Sequence, residues 1–223
     1  MSIRVVTVER EYGSGGGVIA ARLAARLGWR LWDQLLTEEI ARRLGCASRA
    51  VEEREEKQDP MYYRLLKAFM KGSFEGSLNA PRLNLVDTEH IREVVRTLLP
   101  EIVQTGNCVI VGRGSSYYLS SRSDVFHVFV YAPFDERVRR LQSTGKTEQE
   151  AMDLAETVDR DRATFIKQYF DVEWPGRDRF QLMVNSAAGD DVAVAIIMDA
   201  MARYDAAQGA RPLPDAALHP GRQ

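Results

Sequence analysis

Glu9–Arg10–Glu11–Tyr12–Gly13–Ser14–Gly15–Gly16–Gly17 decides how this chain is read. It joins Ile3–Val8, a short β-branched apolar run, to Val18–Leu27, where Ile19, Leu23, Ala24 and Leu27 recur at helical spacing before Gly28. The first pattern is that of a buried strand, and the second that of a helix closed by a glycine. Four glycines in five positions are more than a tight turn requires. Glycine accepts positive φ and lets backbone N–H groups approach an anion closely. The helix that follows presents its unpaired N–H groups and positive dipole end to the same place. The segment therefore reads as a phosphate site made of Arg10, Gly13, Ser14, Gly15, Gly16 and Gly17, with a ligand-free turn as the alternative.

Outward from this loop, strands alternate with helices. Arg30–Trp32 reads as a strand ending at Asp33, and Leu35–Leu44 as a helix closed by Gly45. Ser48 to about Lys57 and Met61–Met70 read as helices, and Gly72–Pro81 as a loop. Ile91–Val103 has a core face of Ile91, Val94, Val95, Leu98 and Ile102, with a kink expected at Pro100. Cys108–Val111 and Val125–Tyr131 are strand patterns, followed by Gly112–Arg113–Gly114 and by a short basic helix over Phe134–Leu141. Thr147 and Glu150 form a capping box that starts a long helix to about Phe170. Phe180–Val184 is the last strand pattern and Asp191–Tyr204 the last helix. This alternation predicts an α/β fold with a parallel sheet covered on both faces. Ligands of such sheets bind at the C-terminal strand ends, where the loops after Val8, Trp32 and Val111 fall.

Composition narrows the function classes. The chain has 223 residues, 45% hydrophobic and 28% charged, enough for one domain with an insertion. A net charge of −2 gives no signal for nucleic acid or membrane. Basic residues are nearly all arginine; Lys57, Lys67, Lys71, Lys146 and Lys167 are the only lysines. Cys46 and Cys108 are far apart and have no metal-ligand spacing, which fits a reducing cytoplasm. Met1–Arg4 shows no signal-peptide pattern, and no apolar run approaches the ~20 residues of a membrane span. His90, His127 and His219 are isolated, and Trp29, Trp32 and Trp174 read as packing residues, Trp174 also as a shaper of an acceptor pocket.

The glycine loop departs from two phosphate-binding patterns. Aligned on G-x-x-x-x-G-K-[ST] with Gly15 as the last glycine, Arg10 occupies the first glycine and Gly16 the lysine position. Gly17 then falls where a metal-holding hydroxyl is sought, and Ser14 is the loop's one hydroxyl. Against G-x-G-x-x-G/A, Val18 takes the third glycine position. Asp33 nevertheless lies ~20 residues on, where a ribose-binding acid is expected, which keeps an NAD(P)-dependent Rossmann oxidoreductase as a rival.

The chain resembles the cytidylate kinase-like family, a branch of the P-loop nucleoside monophosphate kinases. The family opens with R-E-Y-G-S-G-G-R-x-I-A; Arg10 to Gly16 and Ile19–Ala20 fit, while Gly17 replaces the arginine. Trp32–Asp33, Val109 to Gly114, Val128 to Pro133 and Asp159 to Tyr169 resemble the family's later motifs in order. The resemblance implies a P-loop NTPase-type three-layer α/β/α fold with a central parallel sheet and a helical lid. It spans residues 1–207, with a helical acceptor-side insertion over about 46–87, a lid region over about 144–178, and a disordered tail from 208 to 223.

It also implies ATP and Mg²⁺ as cofactors and transfer of the γ-phosphoryl group to CMP, dCMP or a related acceptor. Gly13–Gly17 would cradle the donor phosphates. Arg113, between two glycines at a strand end, would hold the acceptor phosphate through its planar fork. Asp33 would orient the acceptor's sugar or base, or cap the next helix. Arg160 and Arg162 would close over the phosphates as a lid, or form an exposed helix face. Arg137, Arg139 and Arg140 read as a solvated basic face, with contact between Arg137 and the charged pairs of the lid as the alternative. The metal ligand is not assigned. A nucleotide-binding regulatory protein that has lost the chemistry is the second reading. Expected partners are nucleotide substrates, with no nucleic acid or membrane, and the apolar Met61–Met70 helix either caps the acceptor site or pairs two subunits as a homodimer.

Overall fold

The computed structural model describes residues 3–43 and 88–209. The helices expected over 48–57 and 61–70, the loop over 72–81, and the tail from 210 lie outside the described residues.

Five strands form one parallel sheet: β1 (Val5–Arg10), β2 (Arg30–Trp32), β3 (Cys108–Val111), β4 (Val125–Tyr131) and β5 (Leu182–Asn185). Their order is β2-β3-β1-β4-β5. β1 sits at the centre, with Val5 opposite Cys108 on one side and Val125 on the other. A Rossmann sheet places its first two strands side by side. Here β3 separates them, so the topology removes the Rossmann rival.

The helices are α1 (Gly16–Leu27), α2 (Gln34–Arg43), α3 (Thr88–Gln104), α4 (Ser115–Tyr118), α5 (Phe134–Gln142), α6 (Glu148–Phe170) and α7 (Asp190–Gly209). Strand side chains alternate between faces, and both faces are apolar. Val6, Val8, Val109, Val111, Phe126 and Val128 pack against Ile19 and Leu23 of α1 and Val194 and Ile197 of α7. Val5, Cys108, Ile110 and Val125 pack against Leu36 and Ile40 of α2, Leu99 and Ile102 of α3, and Phe165 and Ile166 of α6. The result is a three-layer α/β/α domain. A third, smaller core of Tyr12, Val138, Leu141, Ala151, Ala155 and Val158 joins α5 to the first half of α6.

Several boundaries differ from the sequence expectation. β1 continues through Glu9 and Arg10, because its pairing with β4 extends to Arg10 opposite Val130. α1 begins at Gly16, so two loop glycines are helical. α3 runs without interruption through Pro100, which faces solvent. α7 extends to Gly209. The capping box of Thr147 and Glu150 is present at the start of α6. α4, one turn long, carries no periodicity and was not anticipated. Trp174, partly buried, packs edge-on to Phe129 at 5.5 Å against the core.

Candidate active site

The C-terminal ends of β1, β2 and β3 bring three turns together. The first is the glycine loop. Gly13 and Gly15 take φ of 80° and 76°, and Gly15 precedes α1 without a side-chain cap. Ser14 is fully buried, and its hydroxyl donates to Glu11 O at 2.8 Å. Ser14 O in turn accepts from Arg140 Nη1 at 2.8 Å and from the Ser186 hydroxyl at 2.6 Å. The loop is thus held open from behind, by α5 and by the end of β5. The amides of Gly16, Gly17 and Val18 at the start of α1 meet no acceptor among the described residues.

The second turn follows β3. Gly112, Arg113 and Gly114 have φ of 64°, 61° and 67°. Three consecutive left-handed residues reverse the chain sharply into α4, and glycine bears this at two of them without strain. Arg113 does not; a non-glycine residue in that region costs about 1–2 kcal/mol. Such strain persists where surrounding structure enforces it, commonly at functional sites. Arg113 is buried, and its Nη2 donates to the Thr37 hydroxyl at 2.6 Å. Burial pushes the Arg113 proton affinity down; Asp33 opposes the shift, and Arg10 and Arg162 add to it.

The third turn places Asp33, also buried, directly before α2, where Asp33 O accepts from Thr37 N at 3.3 Å. Asp33 therefore stands at the helix-start position and also faces Arg113 electrostatically.

Arg10 and Glu9 lie beneath these turns. Both are buried. Burial raises the Glu9 pKa, against the charges of Arg10 and Arg162 and hydrogen bonds from Ser116. Arg162 reaches across from α6, where its Nη1 donates to Arg10 O at 2.7 Å and to Asp159 Oδ1 at 3.1 Å. Arg10, Arg113 and Arg162 thus crowd one region, with Glu9 and Asp33 as the nearby carboxylates. Arg160 is not brought there. Two residues apart on a helix, Arg160 and Arg162 point to nearly opposite faces; Arg160 is exposed and contacts Thr157 at 3.4 Å.

A cavity of about 870 Å³ opens over the start of α1. Gly15, Gly17 and Val18 form its floor, Asp33 and Gln34 one side, and Arg140, Thr144 and Gly189 the other. It is large enough for a nucleotide-sized ligand. No group of three or more His, Cys, Asp or Glu side chains converges to hold a metal among the described residues. No helix is long and apolar enough to cross a membrane among the residues described.

Residues 5–188 match the cytidylate kinase-like family. The chain belongs to that family. An uncharacterized protein from Eubacterium ventriosum shares the fold with a TM-score of 0.64 at 17% identity, covering 89% of this chain and 98% of its own. A gluconokinase from Sinorhizobium meliloti gives 0.51 at 11% identity, covering 92% and 95%. A shikimate kinase from Bacteroides thetaiotaomicron gives 0.50 at 18% identity, covering 88% and 96%. A search of curated proteins returns no match. At these identities the structural likeness establishes the P-loop kinase fold and nothing finer.

Within this cytidylate kinase-like chain, one expectation holds only in part. The basic face of α5 is not solvated as a whole. Arg139 is exposed, but Arg137 is largely shielded and pairs with Asp159 at 2.6 Å, and Arg140 bonds two backbone carbonyls. Local charge density suggested a surface, whereas the partners lie 22 to 126 residues away. Glu9, Glu11 and Asp159 are site-building residues that sequence spacing did not single out, and Arg137 makes the lid contact that was the lesser of its two readings. The one available signal was their clustering at the strand end and on the helix with the family motif.

Proposed function

We propose that this protein is a phosphotransferase that moves the γ-phosphoryl group of ATP to a nucleoside monophosphate, with CMP or dCMP as the first acceptors to test. One observation carries the reading: the buried guanidinium groups of Arg10 and Arg113, with the partly buried Arg162, gather beside a helix start whose amides are open. Like charges held together away from water are unfavourable unless an anion joins them. A polyphosphate next to a second phosphate is such an anion.

In the proposed reaction an oxygen of the acceptor phosphate forms a bond to the γ-phosphorus. The bond from that phosphorus to the β–γ bridging oxygen breaks, and its electron pair leaves with ADP. An acceptor phosphate is already ionised, so no general base is required. The protein contributes alignment and charge neutralisation. The open amides of α1 bind the donor phosphates, Arg113 binds the acceptor phosphate, and Arg162 reaches over both from α6. Asp33, on the acceptor side of the cavity, orients the sugar or base. Arg160 is left outside this set by its exposure. Mg²⁺ ordinarily keeps several waters and binds through substrate phosphates rather than an all-protein cage, which agrees with the absence of a metal cluster among the described residues. It supplies charge neutralisation when bound.

A coupled assay of ADP release, run across the common nucleoside monophosphates, tests the reading. Turnover is expected with at least one pyrimidine monophosphate. Saturable ATP binding with no turnover on any acceptor would overturn it in favour of a nucleotide-binding regulatory protein. Gly16 and Gly17, where a lysine and an arginine are absent, favour that second reading.

A further inference from the structure

We infer that Arg10 is the cationic ligand of the bound polyphosphate and stands in for the lysine that the glycine loop lacks. The inference rests on the phosphoryl-transfer reading but is separable from it.

The first support is a matched pair of exchanges. In the P-loop pattern the lysine falls at position 16 and a glycine at position 10. This chain has the reverse, Gly16 and Arg10. A Cβ placed on Gly16 would lie 2.7 Å from Arg10 Cβ, 2.8 Å from Cδ and 3.2 Å from Cγ. The stem of Arg10 therefore fills the volume in which a side chain at position 16 would begin. From there the head group runs to the β3 turn, where a Cβ on Gly112 would be 2.6 Å from Arg10 Nη1. The guanidinium thus lies between the helix start proposed to hold the donor and the turn that carries Arg113.

The second support is its lack of a partner. Arg10 is only 4% exposed. Its guanidinium nevertheless makes no hydrogen bond and no ion pair within 4 Å with any described residue. Buried arginines are ordinarily paired and hydrogen-bonded, because an unpaired charge away from water is costly. Glu9 offers an opposite charge, though not within hydrogen-bonding or ion-pair distance, while Arg113 and Arg162 add repulsion.

The third support is that the neighbouring cations are engaged. Arg140 spends Nε on Glu136, Nη1 on Ser14 O and Nη2 on Ser186 O. Arg137 is held by Tyr12 O and Asp159, and Arg162 by Arg10 O and Asp159. Among these, Arg10 is the one whose donors are uncommitted. In the reaction it would hold charge on the phosphoryl group as the γ-phosphorus passes from the bridging oxygen of ATP to the acceptor oxygen.

The test uses inorganic tripolyphosphate, titrated calorimetrically into the full chain and into Arg10→Met, Arg10→Lys and the double variant Arg10→Gly/Gly16→Lys. Met keeps the stem and removes the charge. We expect tripolyphosphate to bind the wild type and to bind Arg10→Met at least about ten-fold more weakly, as for loss of a charged hydrogen bond. Arg10→Lys should fall between them, and the double variant should recover much of the loss. The ligand-free Arg10→Met protein should melt near the wild-type temperature, since relief from the repulsion of Arg113 and Arg162 is offset by loss of the charge facing Glu9. Equal affinity of wild type and Arg10→Met, or no binding to the wild type, would overturn the inference. If affinity falls as expected but no nucleoside monophosphate accepts a phosphoryl group, the kinase reading fails and Arg10 remains the polyphosphate ligand.

Discussion

Asp159 on α6 grips Arg137 on α5, Oδ2 to Nη1, at 2.6 Å with both side chains largely buried. The other carboxylate oxygen accepts from Tyr12 N at 2.8 Å and from Arg162 Nη1 at 3.1 Å. One carboxylate therefore ties the segment after β1, the basic helix and the long helix into a single unit, and it fixes where Arg162 points. Burial raises the Asp159 pKa, while Arg162, Tyr12 N–H and Arg137 oppose the shift. Removing one partner of a buried charge network leaves the others uncompensated, so Asp159→Ala should destabilise the fold by about 3 kcal/mol. For a domain of this size that is a fall in Tm of roughly 6–12 °C. Thermal unfolding checks it; a fall of under ~2 °C would show that the network relaxes without cost.

Arg113 and Thr37 provide a positional prediction. The 2.6 Å bond from Arg113 Nη2 to the Thr37 hydroxyl orients the fork of a residue already in left-handed backbone. Thr37→Val keeps the shape and deletes the acceptor. A hydrogen bond to a charged group contributes about 1.5–3 kcal/mol, so acceptor KM should rise by roughly ten-fold or more with a smaller change in kcat. Arg113→Lys should not restore function, because a point charge lacks the two-pronged donor set. Steady-state kinetics with the acceptor varied separates the two parameters, and an unchanged acceptor KM in Thr37→Val would remove the positioning role.

His127 predicts how stability depends on pH. Its ring Nδ1 lies 2.7 Å from the Thr7 hydroxyl inside the sheet, and burial lowers its pKa from 6.5 to about 4. Between those values the unfolded chain binds a proton that the folded chain does not. Stability from this residue is therefore complete above pH 6.5 and is lost as pH falls toward 4, by about 3 kcal/mol in all. Glu9 and Asp159, whose folded pKa values are raised, act in the opposite sense on acidification. The contribution is isolated by comparing urea unfolding of wild type and His127→Gln at pH 7 and pH 4.5. The wild-type advantage should shrink at the lower pH, and a constant difference would refute the assignment.

Gly13→Ala should be poorly tolerated for two independent reasons. Its φ of 80° disfavours an L side chain, and the added Cβ would come within 3.0 Å of Arg137 Cβ and Arg137 O. The left-handed penalty alone is about 1–2 kcal/mol, and a backbone carbonyl cannot swing aside as a flexible side chain does. A loss of about 2–3 kcal/mol in chemical unfolding is expected, together with weaker binding of tripolyphosphate. Stability within ~0.5 kcal/mol of wild type would mean that the loop adjusts freely.

Sequence reading captured the parts of this architecture that depend on local chemistry. The apolar run of β1, the glycine loop, the spacing of α1, the Gly112–Arg113–Gly114 turn and the capping box at Thr147 each carry their own signature. Glu9 and Arg10 read as loop, because polar residues end the apolar strand pattern. Their strand conformation comes from pairing with β4, which is distant in sequence. For Arg137 the sequence leaves a solvated face and a lid contact both open, because nothing near it in sequence selects Asp159 as its partner. Arg160 and Arg162 looked equivalent until helical phase separated them. The site's non-local contacts were what the sequence concealed.

Gly17 offers the last test. It lies in the first turn of α1 and lines the cavity, at the position where the family's opening motif carries arginine. Glycine in a helix is about 1 kcal/mol less favourable than alanine, so Gly17→Arg gains on backbone entropy. A cation at a helix N-terminus opposes the dipole by about 0.3–1 kcal/mol, which nearly cancels that gain in the free protein. A bound polyphosphate reverses the balance by pairing with the new guanidinium at the cavity floor. Gly17→Arg should therefore melt within ~2 °C of wild type without ligand. With tripolyphosphate or ATP it should melt higher and bind several-fold more tightly, with a gain that fades in high salt as exposed charges are screened. Weaker binding than wild type at low salt would show that the anion does not sit over the start of α1.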